Sequence, residues 1–127
     1  MLYPLILNFL IGISLGFILE LSYRSYEAKK FIIPKFINYQ MYGLVGISLV
    51  LIHYLKVSLI YELLLLFIVP TLIEFITGYL YLKIKNIRLW NYQDELYNWK
   101  GLICLKFSFF WFIISAVYFY LILPLLI

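Results

Sequence analysis

Glu74 lies in "PTLIEFITGYL", residues 70–80, inside a long apolar run. Thr71, Thr77, Gly78 and Tyr81 recur around it at spacings of three and four, which places them on one helix face. An ionised acid at the centre of a membrane helix costs about 2.5–3.5 kcal/mol on insertion scales, so such a group is protonated, paired or wet. A second acid ends a stripe at strict spacing of four: Asn8, Gly12, Gly16, Glu20, Arg24. Glu20 and Arg24 stand one turn apart, acid first, the favourable order on a helix. Two carboxylates of this kind suit one inner-leaflet site for a lipid headgroup. They equally suit buried ion pairs that only set helix register.

The other reactive residues narrow the chemistry. One histidine and one cysteine cannot make a structural zinc site, so no metal or cofactor is expected. No Gly-rich phosphate loop and no Ser-His-Asp or Cys-His arrangement is present, so no catalytic residue is assigned and an enzyme is the weaker reading. Cys104 reads as a packed thiol in an apolar run. Lys106 either joins Glu20, Arg24, Glu74, Thr77 and Arg88 in one inner-leaflet polar site or snorkels to the headgroups.

The elements that must position these residues follow from hydropathy. The chain has 127 residues, 66% of them hydrophobic and 13% charged, which excludes an ordinary soluble domain. A membrane helix needs about 20 mostly apolar residues. Four runs meet or approach this, at about 2–19, 37–55, 57–82 and 102–123, joined by long connections at about 20–36 and 83–101. The runs do not alternate at period two, and lipid forbids unpaired backbone, so they are helices. The first run lacks a basic n-region and a small-x-small cleavage site, and reads as a retained span. The expected fold is all-α, a polytopic integral membrane protein forming one four-transmembrane-helix bundle.

Charge orients it. Arg24, Lys29, Lys30 and Lys35 fall in or beside the first long connection, and Lys83, Lys85, Arg88, Lys100 and Lys106 in or beside the second. Only Lys56 lies on the opposite side, so the positive-inside rule puts both connections in the cytoplasm and both termini outside. The basic residues mark topology and not a nucleic-acid partner. Trp90, Tyr92, Tyr97 and Trp99 give the second connection an interfacial character. Gly12 and Gly16 form a G-x-x-x-G docking surface; Gly101, Ser108 and Ser115, at spacing seven, form another small-residue seam. Pro70 should kink the third span.

"LGFILELSYRS", "MYGLVG" and above all "LIEFITGYLYLKIKNIRLWNYQDELYNWKGLICLKFSFFW" with a late "LP" resemble the "putative ABC-transporter type IV" permease family. The third block matches the family's pattern at Glu74, Thr77, Gly78, Trp90, Tyr92, Asn98, Gly101, Ile103, Cys104, Leu105 and Ser108. "FINYQMYG" keeps Tyr42 and Gly43 without the family's Gly-Pro, and Asn91 stands where an acid is expected.

The resemblance implies a small bacterial cytoplasmic-membrane protein, permease-like or an accessory subunit of a transport system. Its partners would be the lipid bilayer, copies of itself or another membrane subunit, and a separate ATPase. The alternatives are an inner-leaflet lipid-headgroup enzyme or binding protein, with Glu20, Arg24, Glu74, Arg88 and the Trp90–Trp99 loop as its pocket, and a structural partner subunit of a membrane complex.

Overall fold

The structure, a computed structural model, describes residues 2–127. Its main elements are helices α1 (Leu2–Ala28), α2 (Phe36–Leu55), α3 (Leu59–Lys85) and α4 (Leu105–Val117). A π-helical turn (Tyr118–Ile122) and a short α5 (Leu123–Leu126) continue α4. The four helical segments Leu2–Ala28, Phe36–Leu55, Leu59–Lys85 and Leu105–Leu126 are long and apolar enough to cross a membrane. The fold is therefore all-α, as composition and hydropathy required. The one sheet among the described residues is a hairpin of β1 (Asn98–Trp99) and β2 (Ile103–Cys104).

Three helices end in the same way. Lys29, Lys56 and Asn86 follow the last turns of α1, α2 and α3 with positive φ, the left-handed conformation that closes a helix C-terminus. At α3, the Asn86 and Ile87 N–H groups both donate to the Tyr81 carbonyl, so orphan acceptors at that end are met. Lysines at or just past these ends also suit the negative pole of the helix dipole.

Two compact units divide the chain, Met1–Val50 and Leu51–Ile127. In the first, α1 buries Asn8, Gly12 and Gly16, three members of its four-spaced stripe. The glycines are needed because α2 comes in at backbone distance. A methyl on Gly12 would lie 2.5 Å from the Tyr42 carbonyl oxygen and 3.0 Å from Gly43 Cα. One on Gly16 would collide with the Tyr42 side chain, and one on Gly46 with the Asn8 carbonyl. Lipid supplies no hydrophobic drive between helices, so this close van der Waals approach is what holds such a pair. Asn8 Nδ2 donates to the Pro4 carbonyl one turn back, at 2.7 Å.

In the second unit, α3 buries Leu66, Pro70, Glu74 and Gly78, again every fourth residue. The α4 helix packs against α3 and buries Ser108, Trp111 and Ser115. Phe67 meets Phe109 edge-on at 5.5 Å between ring centroids. The α3 helix runs unbroken through Pro70, and Thr71 Oγ1 donates to the Phe67 carbonyl at 3.1 Å. Near the chain's end, Pro124 has no N–H for the Tyr120 carbonyl four residues back. The Leu123 N–H reaches Tyr118 instead, five residues back, and the helix widens to π geometry just before the proline.

Gly12→Leu is expected to lower the thermal midpoint of the detergent-solubilised protein, an overpacking cost of about 1–3 kcal/mol. Leu10→Ala, on an exposed position of the same helix, is expected to shift stability by less than about 0.5 kcal/mol. Circular dichroism melts of both variants check this; equal midpoints would remove the glycine seam from the account of α1–α2 packing.

Candidate functional site

Glu74 is 4% exposed and sits on the buried stripe of α3. Its Oε2 accepts a hydrogen bond of 2.9 Å from the Tyr92 hydroxyl. Tyr92 comes from the connection after α3, eighteen residues on in sequence. Eleven residues separate Glu74 from the last residue of α3, about 16 Å of helix at 1.5 Å per residue. The connection therefore folds back along the C-terminal part of α3.

The sequence builds that fold-back from a few specific contacts. The Trp90 indole Nε1 donates to the Leu102 carbonyl at 2.8 Å within the core. Gly78 makes room for the ring: a methyl there would meet Trp90 Cζ2 at 3.0 Å and Leu102 Cδ2 at 3.2 Å. The Tyr92 N–H donates to the Gly101 carbonyl at 2.9 Å, and the Tyr92 ring stacks on Phe107 of α4, 4.9 Å between centroids. Asn98 Nδ2 donates to the Glu95 carbonyl at 2.9 Å, while its Oδ1 accepts from the Gly101 N–H at 3.1 Å. Lys100 and Gly101 both take positive φ in the turn, which the Leu102 N–H closes onto the Trp99 carbonyl. That pair of left-handed residues is the geometry of tight hairpin turns, and Gly101 adopts it without a Cβ penalty. Asn98 pairs with Cys104 and Trp99 with Ile103 in the short ladder.

Non-helical backbone at membrane depth is tolerated where protein buries it. Leu89, Trp90, Leu102 and Cys104 are all buried in this unit. Cys104 lies ahead of the α4 span, and burial pushes its thiol up from the usual value. Ser108 and Ser115 lie on the buried side of α4 and Gly101 is buried in the hairpin turn. Thr77, three residues beyond Glu74, is half-buried.

The remaining polar residues take other places. Arg88 Nη1 donates to the Lys100 carbonyl at 3.3 Å. Lys106 is half exposed and pairs with Glu95 at 3.8 Å, a solvated ion pair of little worth. Trp99 is exposed and stacks on Phe75 of α3. Trp90 and Tyr92, grouped by sequence with the interfacial aromatics, are turned into the unit, whereas Tyr97 and Trp99 face outward.

Glu20 belongs to the first unit and has its own partners. Arg24 Nε donates to Glu20 Oε2 at 2.8 Å, and the Tyr42 hydroxyl donates to Oε1 at 3.3 Å. Tyr42 is thus to Glu20 what Tyr92 is to Glu74. Glu20 and Glu74 lie in different units. Asn38 was not singled out by sequence: it is fully buried on α2, and neither amide atom has a hydrogen-bond partner. Its place near the start of an apolar helix gave no spacing signal. Among the described residues, no cluster of three or more His, Cys, Asp or Glu could hold a metal ion.

Trp90→Phe leaves the buried Leu102 carbonyl without its donor, a loss of about 1–3 kcal/mol. Faster amide exchange across residues 98–104, with exchange in α1 unchanged, is the expected outcome. Uniform protection in both segments would mean that the indole bond does not hold the hairpin.

No curated protein and no solved structure matches this chain. A family model does, that of the family described as "Putative ABC-transporter type IV", over residues 7–127. That span contains both carboxylate–tyrosine pairs, the glycine stripe and the folded connection. The chain belongs to this ABC-transporter type IV family.

Proposed function

We propose that the protein is a permease-like or accessory subunit of a transport system in the bacterial cytoplasmic membrane. It works assembled with copies of itself or another membrane subunit. Family membership supports a transport role, and four span-length helices support a membrane one. The chain carries no Gly-rich nucleotide loop, so ATP hydrolysis falls to a separate chain.

The observation that carries the reading is the Tyr92–Glu74 bond. It ties a connection between spans to an acid inside a span. A partner that moves the connection changes the environment of the carboxyl, because the bond is either made or broken. The carboxyl is then the element that senses ATPase engagement within the membrane part of the assembly. The positive-inside count puts this connection in the cytoplasm, where an ATPase would meet it, with both termini outside.

Mass spectrometry of the protein purified gently from its native membrane tests the assembly. A stoichiometric ATPase supports the reading; a self-oligomer retaining lipid and no ATPase opposes it. In the purified assembly, Tyr92→Phe is expected to preserve association and to lower ATPase stimulation by roughly two- to tenfold, the net worth of one hydrogen bond. Lost association would make the pair a structural tie.

Orientation has its own check. Cys104 is the only native cysteine and is buried, so a single cysteine placed at Lys30 or Lys56 reports alone. Membrane-impermeant maleimide added to intact cells is expected to label Lys56→Cys and not Lys30→Cys; the reverse pattern would invert the topology.

A further inference from the structure

One row of contacts on the second unit lies apart from the Glu74–Tyr92 pair. Phe75 and Tyr79 stand one turn apart on α3 and stack at 5.8 Å between centroids, 17° from parallel. Trp99 of the hairpin stacks on Phe75 at 5.3 Å and 19°. The three rings form a continuous aromatic strip. A cation sits at each end. Lys83 Nζ lies 5.6 Å from the Tyr79 centroid and 3.4 Å from its hydroxyl oxygen. Lys100 Nζ lies 5.9 Å from the Trp99 centroid.

The strip faces outward. Trp99 is 58% exposed, and Lys83 and Lys100 are exposed, while Phe75 and Tyr79 are half-buried. Leu96 and Tyr97, each 80% exposed, extend the apolar surface at the hairpin. Arg88, bonded to the Lys100 carbonyl, adds a further positive charge there. The acids nearby are Asp94 and Glu95, and Glu95 is engaged by Lys106.

An exposed apolar strip with an ammonium group at its Tyr79 end matches the two parts of a phospholipid, an acyl chain and a phosphate. We propose that this strip is a binding site for an anionic phospholipid. The acyl chain lies along Tyr79, Phe75 and Trp99, and the phosphate-bearing headgroup is drawn to Lys83, near the C-terminal end of α3. Trp and Tyr rings favour the headgroup boundary, and lysines just outside a span attract anionic lipid. The site does not depend on the transport reading, since it uses neither Glu74 nor Tyr92.

The test uses the full-length protein in vesicles of equimolar phosphatidylglycerol and phosphatidylcholine, with acyl-chain bromine on one lipid at a time. Trp99 fluorescence is isolated by subtracting the signal of Trp99→Phe. Bromine on phosphatidylglycerol is expected to quench Trp99 several-fold more than bromine on phosphatidylcholine, following the attraction of each basic residue for anionic lipid. The variant Lys83→Gln keeps the tryptophan and is expected to make the two lipids quench equally. Equal quenching in the unaltered protein overturns the proposal, because the strip then takes any lipid. No quenching of Trp99 by either lipid also overturns it, because another protein then covers the strip.

Discussion

A carboxyl group inside a span must have a partner, and the second unit is organised around that demand. Apolar neighbours offer Glu74 nothing, and its ionised form is costly in a low-dielectric surrounding. Tyr92 answers from outside the helix. To deliver that hydroxyl, the connection has to fold back along α3, which removes its own backbone from water. Every buried N–H and C=O then needs a partner in turn. The Trp90–Leu102, Tyr92–Gly101 and Gly101–Asn98 hydrogen bonds meet that need. One buried acid thus goes together with a small, fully folded connection where a disordered loop would have sufficed to join two helices.

Small residues do two different jobs in this chain. In the first unit, Gly12 and Gly46 let two helices approach at backbone distance, and Gly16 and Gly43 make room for side chains of the facing helix. In the second, Gly78 admits an indole ring, and Gly101 supplies a positive φ at a turn. The first use is a helix-docking surface of the kind common in membranes. The second allows a non-helical segment to pack on a helix. The same residue type at similar spacing therefore says little about which neighbour it accommodates.

The buried Glu74 and the half-buried Glu20 follow one pattern. Each lies on a four-spaced stripe and accepts from a tyrosine of another element: Tyr42 for Glu20 and Tyr92 for Glu74. Glu20 also has Arg24 one turn away, and that ion pair makes it the more conventional of the two. Glu74 has no basic residue at the equivalent helical position; Gly78 stands there and leads to Trp90. The difference is why the fold-back and the proposed coupling both centre on Glu74.

Much of the fold was legible in the chain because lipid permits so few solutions. Four long apolar runs without period-two alternation can only be helices, and the structure has four helices of that kind. The Glu20–Arg24 pair was legible because a spacing of four is a local property of the α-helix. The burial of Asn8, Gly12 and Gly16 followed from the same periodicity. What the sequence could not specify was the partner of each side chain that reaches beyond its own helix. Tyr92 and Trp90 read as interfacial aromatics because composition cannot tell a ring facing headgroups from one packed on a glycine. The hydrogen bond to Glu74 joins residues eighteen apart, and the Trp90 bond that anchors the hairpin at 98–104 joins residues twelve apart. Periodicity is written into the chain by backbone geometry; the choice among distant partners is made only when the helices pack.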